Sequence, residues 1–157
     1  MLTQILLDLY ERDLAKLKSE IEQYTDAADL WRVECDIANS AGNLTLHLVG
    51  NLEHFIGAVL GDSGYIRDRD REFSDKGTPR EDIVAAIDET RAIVKSTLET
   101  LTDEDLTKNY SIEVFGEPMT TGYFLVHLAT HLNYHLGQIN YHRRLLSKQL
   151  QGETIPS

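Results

Sequence analysis

Cysteine is nearly absent from this chain of 157 residues, in which Cys35 is the only one. An internal disulfide therefore cannot form, and a zinc site built from several cysteines is excluded. This cysteine usage is typical of proteins in a reducing compartment. Glu34 and Asp36 flank Cys35, and because negative neighbours disfavour a thiolate, we expect no reactive cysteine in this protein.

Positive charge is also scarce. The chain has 15 Lys and Arg against 26 Asp and Glu, which gives a formal net charge of −11 at pH 7. Proteins that bind nucleic acids or anionic membranes need an excess of Lys and Arg to neutralise phosphates. We therefore predict that neither nucleic acid nor a membrane surface is a partner, and that the acidic surface mainly provides solubility.

Long apolar runs are missing as well. No uncharged apolar run approaches the roughly 20 residues that a membrane-spanning helix requires. The first 18 residues lack a basic segment before their apolar residues and are interrupted by charges, so they do not form a signal peptide. The expected location of the protein is therefore the cytoplasm.

Helical periodicity is the pattern that the sequence has in abundance. Apolar residues recur at alternating steps of three and four in four separate segments, as on amphipathic helices that bury one face. The segments are 1–24, a second from about 39–42 through 43–61, a third over 79–100, and a last one that runs to about residue 150. Four such helices in a chain of this length predict an all-α four-helix bundle in a single domain, 1–157.

Start signals precede two of these helices. Thr78 is placed as an N-cap, with Pro79 at the first helical position and Glu81 three residues after the cap,. Thr120 or Thr121 is expected to cap the last helix. These signals set the predicted boundaries of the third and fourth helices.

The segments between the helices carry less regular patterns. Residues 24–36 are predicted to form a connecting loop, and residues 61–77 an exposed loop in which the charged stretch 67–73 is a solvated face. Residues 111–120 alternate in polarity around Gly116, which predicts either a short hairpin or an irregular excursion before the last helix,.

Three evenly spaced histidines stand on the last helix: His127, His131 and His135. Residues four apart lie on one helical face, so neighbouring pairs of these imidazoles can converge on one metal ion. The outer two lie about 12 Å apart along the helix axis, whereas a metal–nitrogen bond is about 2 Å long. At most two of the three are therefore ligands of one ion, and His131 belongs to either pair.

A histidine pair at this spacing is also common as an ordinary polar pair. Here, leucines interleave with the histidines, which indicates an inward face, and buried imidazoles without partners are costly. The second helix places His47 among leucines, and it can supply a third nitrogen ligand that leaves one coordination position open. His54, seven residues later, could replace His47 or lie at the rim of the bundle. His142 is interpreted as a helix-end residue that interacts with the helix dipole.

Other chemistries find little support in the sequence. No glycine-rich phosphate loop and no nucleophile-elbow motif is present. A di-iron carboxylate bundle would need Glu-x-x-His motifs on two helices, and the chain has none,. A mononuclear histidine site remains the principal candidate.

The two histidine-bearing segments resemble the DinB/YfiT-like superfamily of metal-binding four-helix bundles. They read NLTLHLVGNLEHF at 43–55 and HLATHLNYHLGQI at 127–139, and the His-Leu-Gly-Gln-Ile ending is the most specific part. The first segment, with its continuation to the RDREF at 69–73, further resembles a DinB-like subfamily of uncharacterised function. The resemblance covers nearly the whole chain.

The resemblance implies a set of site residues. Carried over residue by residue, it assigns His47, His131 and His135 as ligands of one divalent metal ion, for which we expect zinc or nickel. His127 precedes the matching pair and becomes a candidate pocket residue. The resemblance also implies a homodimer.

Two functional hypotheses follow. In the first, the protein is a metal-dependent enzyme that activates a low-molecular-weight thiol or water for transfer to an electrophilic small-molecule substrate. The resemblance makes thiol S-transfer our first choice of reaction, and hydrolysis is the second choice. In the alternative, the protein is a non-catalytic metal-binding or dimerisation module. This alternative requires a closed metal site with His54 or Glu53 as a fourth ligand.

Overall fold

Four long helices form the bundle that the sequence predicts, in a computed structural model that describes the backbone of residues 1–152 and the side chains of residues 1–147. The helices are α1 (Leu2–Glu22), α2 (Ala41–Leu52), α3 (Arg69–Ser74), α4 (Arg80–Thr100) and α5 (Thr121–Gly152), of which α3 is short. The helix α1 packs on α4 and α5, and α2 packs on the same two helices. The all-α prediction is confirmed.

The apolar stripes form the core of the bundle. Leu14, Leu48, Ile87 and Leu132, one from each long helix, are all buried in a single cluster. Complete burial of a side chain of this size contributes about 1.5–3 kcal/mol relative to leaving it exposed. The long stripes therefore bring the helix faces together and fix which residues of α2 and α5 oppose each other.

Short helical turns extend the long helices and link them. A π-helical turn, Glu53–Ala58, continues α2, and 3-10 turns occupy Ala27–Trp31 and Asp105–Thr107. The first of these 3-10 turns lies in the segment predicted as a plain loop, where the Asp26 carboxylate accepts a hydrogen bond from the amide of Ala28 at 2.9 Å. Such local side-chain capping can stabilise a turn too short to show a period.

The predicted caps are right for one helix and wrong for another. The Thr120 hydroxyl accepts a hydrogen bond from the amide of Tyr123 at 3.2 Å, as expected of an N-cap. The Thr78 hydroxyl instead donates to Asp75 at 2.9 Å, and α4 begins at Arg80 without a side-chain cap. The Thr78 hydroxyl is oriented towards Asp75, and Pro79 rather than Thr78 immediately precedes the first helical residue.

The segment 61–77 is only partly the exposed loop that its charges suggest. It contains α3, and the Asn43 side chain on α2 donates hydrogen bonds to the carbonyl oxygens of Glu72 at 2.9 Å and Asp75 at 2.7 Å. The prediction that 67–73 is a solvated face is wrong for Glu72, which is 6% exposed. A six-residue helix has too few residues to show a period, so only its tertiary contacts reveal it.

The segment before α5 forms no hairpin. Within residues 1–152 it contains only an isolated antiparallel bridge between Asn109 and Thr120 and no strand. The amide of Tyr110 donates to the carbonyl of Met119 at 2.9 Å, which closes the excursion. The irregular alternative is therefore the one observed. None of the described helices is both long and apolar enough to cross a membrane.

Candidate metal centre

The bundle brings together three histidines from two helices. One ring nitrogen from each of His47, His131 and His135 lies within 4.8 Å of the other two. This is the one group of potential metal ligands of its kind among the residues that the structure describes. His131 and His135 are one turn apart on α5, and His47 faces them from α2.

The spacing of the nitrogens suits a metal ion. The Nε2 atoms of His47 and His131 are 3.2 Å apart. Bonds of about 2.0–2.1 Å to a tetrahedral ion place two nitrogen ligands about 3.3 Å apart. The side chains therefore need little movement to coordinate one ion between them.

A carboxylate orients His47. The Nδ1 atom of His47 lies 3.0 Å from Oε1 of Glu72, so the ring carries its proton on Nδ1 and donates it to the carboxylate,. Arg67 donates to the same carboxylate through Nε and Nη2, both at 2.8 Å. The tautomer leaves a lone pair on Nε2, which points towards His131. Hydrogen bonding of this kind is typical of metal-binding histidines.

Glu72 is charged in this environment. Burial alone would raise the pKa of Glu72, but hydrogen bonds from His47 and Arg67 outweigh burial and hold that pKa below its usual value. The carboxylate therefore remains a strong acceptor for the His47 ring at neutral pH.

Gly50 makes the room that Glu72 occupies. It lies on α2 nearly one turn after His47, and a Cβ atom at this position would overlap the Glu72 carboxylate. Only a residue without a side chain allows α3 to bring its carboxylate so close to the α2 backbone.

The His135 ring is oriented from its own helix. Its Nδ1 atom lies 2.7 Å from Oε1 of Gln138, so the ring donates its proton there and keeps a lone pair on Nε2. Burial lowers the pKa of His135, although the hydrogen bond to Gln138 opposes this effect. The neutral ring is the form that binds metals.

His131 faces His47 through Nε2, at 3.2 Å, and has one nitrogen without a partner among the described residues. Its Nδ1 atom is buried and has no hydrogen-bond partner among the described residues. Burial, together with the neighbouring imidazoles, lowers the pKa of His131 to about 4, so the ring is neutral at neutral pH. If Nδ1 carries the proton, the lone pairs of His131 and His47 face each other, and a cation between them would relieve the repulsion. The three residues therefore fit a divalent ion.

The other histidines lie outside this cluster. His127 is half-buried beside the rings of Phe115 and Phe124, at centroid distances of 4.9 and 6.0 Å, and its ring is 6.5 Å from that of His131. His54 packs against Phe55 at 4.7 Å. His127 therefore borders the site, whereas His54 does not take the place of His47.

Glu53 does not complete the cluster either. One of its carboxylate oxygens accepts a hydrogen bond from the Thr90 hydroxyl of α4 at 3.1 Å. Because the described cluster has three ligands, a tetrahedral ion there would keep one position open,.

The structure corrects the interpretation of His142. It lies two turns after His135, buried, with ten more residues of α5 after it, and so is not at a helix end. Nδ1 accepts a hydrogen bond from the Tyr24 hydroxyl at 2.6 Å, and Nε2 donates to the carbonyl oxygen of Arg32 at 2.9 Å. Burial raises the pKa of Tyr24, which keeps its hydroxyl a donor. Both ring nitrogens are thus used within the fold.

Sequence reasoning missed the residues that orient the cluster. Gln138 belongs to the His-Leu-Gly-Gln-Ile motif, and its position three residues after His135 is a usable signal. Glu72 and Arg67 had no such signal, because they stand in a charged stretch that resembles a solvated surface.

Comparisons with known proteins agree with this fold. Residues 6–157 match a protein family described as "Protein of unknown function (DUF1572)". No curated protein matches the chain significantly in sequence.

Solved structures share the architecture at low sequence identity. A DinB-like protein from Bacillus cereus ATCC 10987 is 20% identical, with a TM-score of 0.72 over 90% of this chain and 91% of the other. A conserved protein from Enterococcus faecalis is 18% identical, with a TM-score of 0.71 over 91% of this chain and 95% of the other.

A third similar structure is YfiT from Bacillus subtilis, described as a probable metal-dependent hydrolase with an unusual four-helix bundle topology. It is 19% identical, with a TM-score of 0.71 over 92% of this chain and 87% of the other. Likeness at this level of identity concerns the fold, and the predicted DinB/YfiT-like bundle is confirmed as the fold of the chain.

Proposed function

The chain belongs to the DUF1572 family, and from the geometry of its histidine cluster we propose that it is a metal-dependent enzyme. His47, His131 and His135 would hold one divalent ion, zinc or nickel, with a fourth position left for a small molecule. The observation that carries the proposal is the convergence of three imidazoles from two helices, one of which, His47, is hydrogen-bonded to Glu72.

The proposed reaction is nucleophilic transfer to an electrophilic small molecule. A divalent ion with an open position lowers the pKa of a thiol or water bound there and so supplies a nucleophile at neutral pH. We propose a low-molecular-weight thiol as the nucleophile. The description of YfiT as a probable metal-dependent hydrolase favours water as the second candidate.

The protein residues have distinct roles in this proposal. Glu72 holds the proton on Nδ1 of His47, and Gln138 holds the proton on Nδ1 of His135, so that both Nε2 atoms stay free to bind. His127 stands one turn before His131, half-buried, where it can accept a proton from the incoming nucleophile,.

The open position separates this proposal from a non-catalytic metal module. A structural site is closed by a fourth protein ligand. The two candidates for that ligand, His54 and Glu53, contact Phe55 and Thr90 instead. This placement supports the enzyme over the module.

Cobalt substitution tests the proposal directly. We expect Co²⁺-loaded protein to change its visible spectrum when 2-mercaptoethanol is added, with a new near-ultraviolet band from a thiolate on the ion, because the open position admits the thiol. The His131→Ala variant, treated identically, is the control for cobalt that is not in the cluster. An unchanged spectrum in cobalt-loaded parent protein would indicate a closed site and would favour the non-catalytic module.

We also propose that the protein is a homodimer. Apolar residues of α1 and α5 stay exposed along one side of the bundle, including Leu2 (41%), Ile5 (48%) and Val126 (43%). They line a groove of about 450 Å³ between the two helices. Covering such a surface with a second copy would remove apolar area from water.

Sedimentation tests the dimer. We expect the parent to sediment as a dimer at micromolar concentration and the Ile5→Asp variant to sediment as a monomer, because a charge in an apolar interface is costly to bury. Ile37→Asp is a matched control, since Ile37 is also exposed (38%) but lies away from the groove. A parent protein that sediments as a monomer would contradict the proposal.

A further inference from the structure

A cavity of about 590 Å³ lies beside the histidine cluster. One side is formed by residues 36–39, which precede α2, and the other by the second half of α5. Pockets for small molecules are typically about 300–1,000 Å³. The cavity is therefore large enough for a ligand the size of two fused aromatic rings.

The cavity touches the cluster at one residue. His135 lines the cavity and is also one of the three converging imidazoles. A molecule that fills the cavity therefore has one end beside the candidate metal position. Leu44, one turn before His47 on α2, lines the same cavity from the opposite helix.

The walls are largely apolar. Ile37 and Leu145 keep 38% and 59% of their surface exposed, and Tyr141 keeps 68%. All three line the cavity. An apolar ligand would remove this surface from water and gain free energy in proportion to the area covered.

Two neutral amides, Asn39 and Gln138, are among the polar groups that line the cavity. The Gln138 carbonyl is used by His135, which leaves its NH₂ group available, and the Asn39 side chain makes no hydrogen bond within the described part of the chain. His142 is not available, because Tyr24 and Arg32 use both of its nitrogens. Uncharged ligand groups can pair with the two amides.

Away from the candidate metal position, the charge of the cavity disfavours an anion. Asp36 is the one charged residue among the described residues that line it. The guanidinium of Arg144 stands over the Tyr141 ring at 6.0 Å and is not among those lining residues. A carboxylate or sulfonate inside an apolar cavity would lose its hydration and face the charge of Asp36.

We infer that this cavity binds the apolar, uncharged part of the electrophilic substrate and presents its reactive end at His135. The inference rests on the proposed function for the identity of the ligand as a substrate. The cavity itself depends only on residues 36–39, α2 and α5. Asn39 and Gln138 provide hydrogen bonds, while Ile37, Tyr141 and Leu145 cover the apolar body.

Matched aromatic probes test the ligand class. We expect 2-naphthylmethanol, which is neutral, to bind the metal-free parent protein at least about tenfold more tightly than 2-naphthoate, its anionic counterpart. The Asp36→Asn substitution should reduce the difference in affinity between the two probes. Equal binding of the two probes, or tighter binding of the anion, would overturn the inference.

Two charged variants test the location. Ile37→Asp and Leu145→Asp should each weaken binding of 2-naphthylmethanol at least about tenfold, because each places a charge in the apolar wall. Ile112→Asp is the control, since Ile112 has similar exposure (42%) to Ile37 and does not line the cavity. Circular dichroism identifies the variants that fold, and unchanged binding in either folded cavity variant would overturn the location.

Cobalt tests the proximity of the cavity to the cluster. In Co²⁺-loaded protein, the protons of bound 2-naphthylmethanol should broaden strongly relative to the Zn²⁺-loaded form. If the probe binds but its proton signals do not broaden, the cavity does not lie beside the cluster and the inference is overturned. If the protein binds no Co²⁺, the proposed function fails, but the comparisons of probes and variants still decide whether the cavity takes an uncharged apolar ligand.

Discussion

His131→Ala is expected to abolish stoichiometric binding of a divalent ion. His131 supplies one of the three converging ring nitrogens, and its Nε2 atom lies 3.2 Å from Nε2 of His47. Without it, only two nitrogens remain, and two protein ligands rarely hold a divalent ion against buffer and chelator. The measurement is metal content by mass spectrometry, together with calorimetric titration, on protein that carries no polyhistidine tag.

The other histidines provide matched variants. His47→Ala and His135→Ala should also lose the ion, whereas His127→Ala should keep it, because His127 borders the cluster without joining it. If His127→Ala loses the ion while His135→Ala retains it, the site lies one turn earlier on α5. If all four variants bind as the parent does, the cluster is not a metal site and the enzyme proposal fails with it.

Glu72→Ala is expected to weaken metal binding about 10–100-fold, the usual effect of removing a group that orients a ligand. The variant removes the acceptor for the Nδ1 proton of His47 and leaves Arg67, whose side chain is 13% exposed, without its partner. Leaving such a donor unsatisfied costs about 1–3 kcal/mol, so the free energy of unfolding of the metal-free protein should also fall. Metal titration and urea unfolding measure the two effects.

Gly50→Ala separates the orienting role of Glu72 from its contribution to stability. The new methyl group would displace the carboxylate without removing it, and the flexible glutamate side chain can move at little cost to the fold. Metal affinity should therefore fall more than stability does. Asp70→Asn is the control, because Asp70 is an exposed acid on the same short helix. Parent-like affinity in both Glu72→Ala and Gly50→Ala would show that His47 does not need this support.

Periodicity predicted those parts of the molecule that are long and pack through one face. The helix α1 and the two turns that separate His127 from His135 follow from local geometry alone, as does the conclusion that only two of these three histidines share an ion. That His47 meets His131 depends on how α2 packs against α5. The residues alone left His47 and His54 as alternatives for the third ligand, and the family resemblance assigned His47.

Contacts between distant residues explain what the sequence did not reveal. Glu72 lies on a helix of six residues that docks through the Asn43 side chain, 29 residues earlier. His142 has partners 110 and 118 residues away. The Thr78 cap failed for a more local reason, because its hydroxyl is oriented towards Asp75 and α4 begins one residue later than predicted. The spacing of residues in the sequence does not predict to which of several acceptors a side chain donates its hydrogen bond.

The hydrogen bonds of His142 restrict the rotation of α5 about its own axis. Seven residues span nearly two full turns, so His142 and His135 point in similar directions, about 10 Å apart along the helix. Both ring nitrogens of His142 are hydrogen-bonded to the connection after α1, one to Tyr24, two residues past the end of the helix, and the other to Arg32. A rotation of α5 that broke these bonds would also swing His131 and His135 away from His47. The hydrogen bonds of His142 thus fix the orientation of the ligands on α5 from two turns further along the same helix.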